Sequence, residues 1–336
     1  MKLGINGFGR IGRCFLRAAL EKRENFDIVC VNDLAPVSTL AHLLKYDTTF
    51  GELDQEVTTT EDKLIIGDME IDFVSEKKPK NLPWDEKDVD LALEATGLFR
   101  KREDAAKHLD AGAEKVLITA PGKGEGTDIT LIPGVNNEDY DPDKHTIMDL
   151  GSCTTNCLVP TVKILDDEFG LEKGLMTTIH SYTNNQQLLD SVHKDLRRGR
   201  AAAASIIPTT TGAAIATTQV LPHLKGKLHG IAMRVPTIDA SIVDLVALTS
   251  EDVNEETVNS VYREAAEGEL EGILGYTETP LVSSDYIGDP RSAIVDSEFT
   301  TVRAGNLVKV LSWYDNEWGY SNRLVDMANQ IGEEMG

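Results

Sequence analysis

The chain has 336 residues, of which 41% are apolar and 26% charged, a composition typical of soluble globular proteins and sufficient for two packed cores. Its 33 basic and 56 acidic side chains give a formal charge of −23, which disfavours nucleic acid and anionic membranes as partners because both would be repelled. No apolar run reaches the roughly 20 residues that a membrane helix needs, and four cysteines in so long a chain do not suggest a disulfide framework.

The N-terminal sequence MKLGINGFGR is too rich in glycine for a secretory signal, so we expect a cytoplasmic protein. The acidic excess also indicates a halophilic protein from a high-salt cytoplasm, where such charges are screened. An unusually acidic protein from an ordinary cytoplasm is the alternative. Activity measured across KCl concentrations separates these two interpretations.

The first third of the chain alternates strand-like and helix-like segments. The predicted elements are strands at 2–6, 26–32, 89–95 and 115–119 and helices at 10–22 and 101–113. Alternation of this kind predicts an α/β domain in which helices cover both faces of a parallel, doubly wound sheet.

The second half differs, because its predicted strands are longer and are separated by long helical segments. They are strands at 175–180, 231–235, 240–248 and 307–314 and helices at 211–221, 253–267 and 320–335. This pattern predicts an α+β domain with a mainly antiparallel sheet, beginning near Ser152.

The sequence GFGRIG at residues 7–12 follows a predicted strand and opens a predicted helix, the context in which G-x-G-x-x-G marks a Rossmann-type dinucleotide site. Gly7 permits the tight turn, Gly9 lets the backbone approach the diphosphate, and Gly12 lets the helix pack on the sheet. Asp33 ends the second strand, where a carboxylate accepts hydrogen bonds from the adenosine ribose and repels a 2′-phosphate. The motif therefore predicts NAD as the preferred cofactor.

Ser152 is a good N-cap for the helix-like segment 158–169, which places Cys153 in the first turn, where a helix N-terminus favours a thiolate. His180 ends a predicted strand and could act as the general base for this thiol. A purely structural Cys153 is the alternative from the residues alone. Cys157 is expected to be buried and inert. We predict no metal site, because the paired ligand clusters of zinc proteins are missing.

A series of segments resembles the glyceraldehyde-3-phosphate dehydrogenase family, in the family's order and over nearly the full chain. They are NGFGRIGR (6–13), VND (31–33), LKYDTTFG (44–51), EATGLF (94–99), SCTTNC (152–157), IHSYTN (179–184), HKDLRRGRAAA (193–203), PTTTGAA (208–214), RVPT (234–237) and WYDNEWGYSNR (313–323). The most specific combination is SCTTNC with the downstream histidine and RVPT.

The resemblance implies a reaction in which Cys153 attacks the aldehyde carbon of D-glyceraldehyde 3-phosphate and forms a hemithioacetal. His180 activates the thiol and steadies the developing oxyanion, and hydride transfer to NAD leaves a thioester. Inorganic phosphate then releases 1,3-bisphosphoglycerate, in glycolysis or gluconeogenesis.

Two phosphate sites beside Cys153 are also implied by the resemblance. The site for the substrate's own phosphate is formed by Thr183 and Arg234. The site for the attacking phosphate is formed by Ser152, Thr154, Thr211 and Gly212. Arg198 is expected to assist, with Arg197 and Arg200 as alternatives. From the residues alone, Thr211 is better explained as a helix cap.

The implied cofactor contacts lie mostly in the first third of the chain. They are Gly7, Gly9, Arg10, Ile11, Gly12, Asp33, Lys77, Thr119 and Asn316. Because Asn316 lies late in the sequence, the final helix is expected to rejoin the first domain. The expected domains are therefore an NAD-binding domain at 1–152 plus 316–336 and a catalytic domain at 153–315. Residues 182–204 are similar to a loop that lines a neighbouring subunit's cofactor site, which implies a homotetramer.

Two departures from the family pattern fall in this loop. Ser191-Val192 stands where strictly NAD-dependent members commonly have Leu-Pro, and Gly199 replaces the alanine of RRAR. Ser191 could donate to a 2′-phosphate, whereas Asp33 matches the NAD pattern, so we predict a preference for NAD. Erythrose-4-phosphate dehydrogenase, a Cys–His hydrolase and a non-enzymatic NAD-binding regulator are the competing interpretations.

Overall fold

A computed structural model describes residues 1–124 and 126–335. The chain forms two compact units, one made of Met1–Gly151 with the segment from Ser321 onward and the other of Ser152–Tyr320. No helix in the described part of the chain is both long enough and apolar enough to cross a membrane.

The first unit is built on a nine-stranded sheet. Its strands and the small accompanying hairpin are β1 (Lys2–Asn6), β2 (Asp27–Asn32), β3 (Tyr46–Asp47), β4 (Gly51–Glu52), β5 (Val57–Thr59), β6 (Lys63–Ile66), β7 (Met69–Val74), β8 (Leu91–Glu94), β9 (Lys115–Ile118), β10 (Ile129–Thr130) and β11 (Ile147–Asp149). Its helices are α1 (Arg10–Lys22), α2 (Val37–Lys45) and α3 (Arg102–Ala105). The strand order is β10-β11-β9-β8-β1-β2-β7-β6-β5.

This order confirms the doubly wound fold, because β1 lies at the centre with β2 on one side and β8 on the other, all parallel. The strands β8 and β9 are buried at every residue, as expected for strands covered on both faces. The antiparallel edge formed by β5, β6 and β7 was not predicted.

The helix predicted at 101–113 is wrong in its extent. Only Arg102–Ala105 is α-helical, and a 3₁₀ turn at Ala106–His108 follows. The turn directs His108 into the core, where its ring accepts a hydrogen bond from Trp84 Nε1 at 2.9 Å. Gly112, with φ of +111°, then reverses the chain toward β9, a conformation that glycine tolerates and that a continuing helix does not contain.

The second unit is built on a seven-stranded sheet. Its strands are β12 (Leu171–Ser181), β13 (Ile207–Thr210), β14 (Leu228–Val235), β15 (Ser241–Thr249), β16 (Leu274–Thr277), β17 (Ala293–Arg303) and β18 (Leu307–Tyr314). Its helices are α4 (Cys153–Phe169), α5 (Ala213–Val220), α6 (Glu255–Glu267) and the start of α7 (Trp318–Met335), which belongs to the first unit from Ser321.

The sheet order is β13-β14-β12-β15-β18-β17-β16, and the pairs are antiparallel except β12 with β14 and β16 with β17. This confirms the prediction of a mainly antiparallel sheet. Every second residue of β15 is buried, and this face packs against α4 in one apolar core. The core fixes the N-terminus of α4 over the ends of β12, β14 and β18.

Candidate active site

The nucleophile predicted from the sequence is the first residue of α4. The hydroxyl of Ser152 accepts a hydrogen bond from the Thr155 backbone N–H at 3.1 Å, and Thr155 Oγ1 accepts one from the Ser152 N–H at 3.1 Å. This capping box begins the helix at Cys153, whose side chain is partly exposed. Cys157, one turn later, is fully buried, and its thiol faces the Ser312 carbonyl at 3.6 Å.

The predicted base lies beside this thiol. Sγ of Cys153 is 3.4 Å from Nε2 of His180, near the carboxyl end of β12. On the other side of the ring, Nδ1 is 2.8 Å from the Ser181 carbonyl oxygen, which can only accept a hydrogen bond. A proton on Nδ1 leaves the Nε2 lone pair facing the thiol, the tautomer that a general base requires.

Arg234 is the register partner of His180 across the parallel pair β12 and β14. Its Nη1 lies 2.7 Å from Nδ1 of His180 and donates to the Ser181 carbonyl at 2.9 Å. Burial, together with the guanidinium charge, lowers the pKa of His180 to about 3. The imidazole is therefore neutral at pH 7 and can accept a proton.

Burial also raises the pKa of the Cys153 thiol, and the nearby Arg234 guanidinium only partly opposes this effect. Burial therefore opposes the preference for a thiolate that the helix N-terminus led us to expect.

Of the three candidate arginines, Arg198 has the least exposed side chain, at 13%, and it pairs with Asp195 at 3.4 Å and donates to the Thr210 carbonyl at 3.4 Å. Burial lowers the pKa of the Arg234 guanidinium, and the charge of Arg198 adds to this effect. Arg200 instead pairs with Asp190 at 2.9 Å, with two thirds of its side chain exposed, and Arg197 is exposed as well.

The remaining predicted phosphate ligands lie on several loops. Thr183 follows β12 and donates its backbone N–H to Gln186 Oε1 at 3.3 Å. Thr211 Oγ1 accepts from the N–H of Ala213, the first residue of α5, at 3.2 Å, and the N-cap of this helix is Gly212. Gly212 has open space where a side chain would be.

The glycine-rich turn fits a dinucleotide. Gly7 has φ of +98°, and a Cβ there would meet the Thr96 backbone nitrogen at 2.7 Å. A Cβ on Gly12 would lie 2.3 Å from the Gly7 carbonyl oxygen, which explains the close packing of α1 on β1. A Cβ on Gly9, in contrast, would meet nothing within 4 Å, so this backbone is open to an approaching diphosphate.

Asp33 is fixed against the same turn. Its Oδ2 accepts from the Phe8 backbone N–H at 2.8 Å and its Oδ1 from the Ala35 N–H at 2.9 Å. Each carboxylate oxygen can accept a second hydrogen bond, so the group remains able to bind a ribose hydroxyl. Its contact with a ribose stays a prediction.

The other predicted cofactor contacts differ in their surroundings. Arg10 forms an ion pair with Asp47, Ile11 is half-buried, Lys77 is exposed after β7, and Thr119 follows β9 and donates its N–H to the Glu94 carbonyl at 3.0 Å. In the second unit, the amide oxygen of Asn316 accepts a hydrogen bond from Ser241 Oγ at 2.5 Å.

Sequence reasoning missed two residues of this site. Ser241 holds the Asn316 amide, and Tyr314 contacts Thr154, the neighbour of Cys153, and Thr178, two residues before His180. Tyr314 lies within the segment WYDNEWGYSNR, two residues before Asn316, so its sequence position was the available signal.

Comparison with known proteins gives the family of the chain. Residues 1–102 match the family model described as the glyceraldehyde 3-phosphate dehydrogenase NAD binding domain, and residues 152–316 match the one described as the C-terminal domain. The chain belongs to the glyceraldehyde-3-phosphate dehydrogenase family.

Relatives extend this match to the full length. The chain is 57% identical over 334 residues to glyceraldehyde-3-phosphate dehydrogenase of Geobacillus stearothermophilus, covering 99% of both proteins. It is 55% identical over 335 residues to glyceraldehyde-3-phosphate dehydrogenase 2 of Streptomyces avermitilis, covering 100% of this chain and 99% of the relative. It is 54% identical to glyceraldehyde-3-phosphate dehydrogenase 1 of Bacillus subtilis, with 99% coverage of each. As a member of this family the chain is an NAD-dependent oxidoreductase.

Proposed function

We propose that this chain oxidises D-glyceraldehyde 3-phosphate with NAD and inorganic phosphate to 1,3-bisphosphoglycerate, through a covalent intermediate on Cys153. The observation that carries the proposal is the 3.4 Å separation between Cys153 Sγ and His180 Nε2 in a member of the glyceraldehyde-3-phosphate dehydrogenase family. A nucleophilic thiol beside a neutral imidazole suits an aldehyde, since addition makes the carbon tetrahedral and thereby a good hydride donor.

In the first step, the thiol proton moves from Sγ to Nε2 of His180 while Sγ bonds to the aldehyde carbon. The carbonyl oxygen gains the electron pair of the broken C=O π bond, and His180 returns the proton to it, which gives a neutral hemithioacetal. In this scheme Nδ1 carries a proton that the Ser181 carbonyl oxygen, 2.8 Å away, can accept, and Arg234 Nη1 donates to the same oxygen, so the ring keeps its orientation.

In the second step, His180 removes the hydroxyl proton while the hydride leaves the same carbon, and Cys153 is left as a thioester. NAD, when bound, supplies the hydride acceptor. Gly7, Gly9 and Gly12 would hold its diphosphate and Asp33 its ribose, whereas Asn316 would bind the carboxamide. The amide oxygen of Asn316 accepts from Ser241, so its NH₂ group is the part free to donate.

In the third step, a phosphate oxygen attacks the thioester carbonyl, the S–C bond breaks, and the Cys153 thiolate regains a proton from His180. Cationic donors suit both phosphates involved, and we assign Arg234 and Thr183 to the substrate's phosphate. For the attacking phosphate we assign Ser152, Thr154, Thr211 and Gly212, with Arg198 assisting.

We further infer that the enzyme works in the cytoplasm as a homotetramer and is adapted to high salt. The acidic composition supports the salt adaptation, and the exposed apolar side chains of Leu188, Leu189, Val192 and Leu196 support an intersubunit role for the segment that carries them. We retain domains at 1–152 plus 316–336 and at 153–315 as part of the proposal.

NADH formation from glyceraldehyde 3-phosphate tests the proposal when it is followed with and without inorganic phosphate, across KCl concentrations. We expect turnover that requires phosphate. Phosphate-independent oxidation, with faster turnover of erythrose 4-phosphate, would overturn the assignment in favour of erythrose-4-phosphate dehydrogenase. Full activity and stability without added KCl would refute the salt adaptation alone.

A further inference from the structure

The hydroxyl group of Tyr314 joins the two elements that carry the nucleophile and the base. It lies 2.9 Å from Oγ1 of Thr154, in the first turn of α4, and 2.8 Å from Oγ1 of Thr178, on β12. Thr154 is the neighbour of Cys153, and Thr178 lies on the same face of β12 as His180, two residues before it. One buried hydroxyl group therefore contacts both α4 and β12.

The ring of Tyr314 also contacts the base directly. The centroids of Tyr314 and His180 are 6.0 Å apart and their planes meet at 81°, an edge-to-face arrangement. Tyr314 is 1% exposed at the end of β18, in register with Ser241 on β15. Both the hydroxyl and the ring are thus held by the sheet and restrict where His180 can lie relative to Cys153.

The hydroxyl groups of Thr178, Tyr314 and Thr154 form a chain of hydrogen bonds that can run in either direction. If Thr178 donates to Tyr314 and Tyr314 to Thr154, the Thr154 proton remains available for Sγ of Cys153, which is 4.0 Å from Thr154 Oγ1. In the opposite direction the Thr154 hydroxyl proton points to Tyr314, and the sulfur keeps only the Thr154 backbone N–H as a donor from this residue. A thiolate would favour the first direction, because hydrogen bonds to a charged acceptor are the stronger ones.

We propose that Tyr314 is a positioning residue that sets the Cys153–His180 separation and, through Thr154, stabilises the Cys153 thiolate once it forms. The proposal rests on the assignment of Cys153 as the nucleophile. Tyr314 itself acts through its neighbours and does not touch the aldehyde in this scheme.

Alkylation of the enzyme by iodoacetamide tests this without NAD or substrate, because only the thiolate reacts. In Tyr314→Phe we expect the alkylation rate of Cys153 at pH 7 to fall at least threefold and its pH midpoint to move upward. We also expect kcat to fall at least fivefold, with a smaller change in the KM for glyceraldehyde 3-phosphate. Mass spectrometry of the labelled peptide confirms the site of alkylation.

Tyr262→Phe is the matched control. Tyr262 is equally buried, and its hydroxyl donates to the Thr161 carbonyl at 2.6 Å on a different side of the same core. This variant should lose similar stability but keep the wild-type alkylation profile and kcat. A coincident pH profile for Tyr314→Phe and wild type, or an equal shift in Tyr262→Phe, overturns the proposal.

Thr178→Val keeps the proposal testable if Tyr314→Phe does not fold. Valine preserves the shape of the threonine and removes the hydroxyl group that would donate to Tyr314. We therefore expect the pH midpoint of Cys153 alkylation to rise, but by less than in Tyr314→Phe. An unchanged profile in this variant contradicts the hydroxyl chain. If the wild-type enzyme is alkylated at Cys153 but does not oxidise the aldehyde, the proposed function is refuted. The effect of Tyr314 on the alkylation of Cys153 can still be measured in that case.

Discussion

Nη1 of Arg234 lies 2.7 Å from Nδ1 of His180 while it donates to the Ser181 carbonyl at 2.9 Å. Arg234, the cation assigned to the substrate's phosphate, thus lowers the pKa of the ring that has to accept the Cys153 proton. Binding of a phosphate dianion would neutralise this charge and make His180 a stronger base. Under this assignment, one guanidinium group links substrate binding to the base strength of His180.

Replacing Arg234 by glutamine should separate these effects. Loss of the cation raises the pKa of His180 from about 3 toward its ordinary value, so the base becomes protonated at a higher pH. We expect the acid limb of kcat against pH to move upward and the KM for glyceraldehyde 3-phosphate to rise at least tenfold. Arg263→Gln, which removes an exposed cation paired with Glu278, is the control and should change neither.

Replacing Cys153 by serine should abolish NADH formation by at least about a thousandfold, because a hydroxyl is a far weaker nucleophile than a thiol. The affinity for NAD, measured by calorimetry, should stay within about twofold. Cys157→Ser is the natural comparison, since Cys157 is buried and does not contact His180, and it should retain most of its activity. Turnover in Cys153→Ser would remove this cysteine from the mechanism.

A buried pair of carboxyl groups makes the stability depend on pH. Burial and the Asp315 charge raise the pKa of Asp239 well above its ordinary value of 3.8. At pH values between the ordinary pKa and the raised one, the folded state binds more protons than the unfolded state, so the free energy of unfolding falls as pH rises. We expect Asp239→Asn to be about 1–3 kcal/mol more stable at pH 8 and to show a weaker decline, measured by urea denaturation.

We expect Asp315→Asn to change the free energy of unfolding differently from Asp239→Asn. The difference shows which of the two carboxyl groups carries the proton. The carboxylate of Asp315 accepts backbone hydrogen bonds from Gly288 and Glu317 at 2.8 Å and from Trp318 at 2.7 Å. An amide loses part of this capacity, so this variant should be destabilised at every pH. Equal stabilisation by both substitutions would contradict the assignment of the proton to Asp239.

The two departures from the family pattern lie in contact. Ser191 donates its N–H to the Gly199 carbonyl at 2.9 Å, and a Cβ on Gly199 would meet the Ser191 carbonyl oxygen at 2.8 Å. The backbone at Ser191 and at Gly199 cannot move apart easily, because the two residues are hydrogen-bonded to each other. Gly199→Ala, which restores the common family residue, should therefore destabilise the protein by about 1–3 kcal/mol. Thermal unfolding measures the change, and an unchanged midpoint would show that this loop is free to relax.

Cofactor preference follows from the fixed Asp33 carboxylate. Its hydrogen bonds to Phe8 and Ala35 hold the negative charge beside the glycine-rich turn, where it repels a 2′-phosphate. We expect kcat/KM with NAD to exceed that with NADP at least tenfold, and Ser191→Leu to enlarge the ratio. An NADP value equal to the NAD value would refute the preference.

The sequence was sufficient for much of the fold, because the apolar periodicity of the strands and helices is a local property. β1, α1 and β18 have the predicted bounds, and β2, β8, β9, β14 and β15 begin within three residues of the predicted starts. The helix at 101–113 was wrong because its chain direction depends on the burial of His108 and on the turn at Gly112, which are tertiary facts.

For the site, the sequence by itself was enough to predict the groups that carry the chemistry: a glycine-rich turn, an acidic residue after β2, and a cysteine behind a serine cap. Only the tertiary structure brought Arg234 against His180, placed Tyr314 between Thr154 and Thr178, and paired Asp239 with Asp315. These contacts join residues that are far apart in the sequence. Proton affinities depend on burial and on neighbouring charges, so no local pattern predicts them.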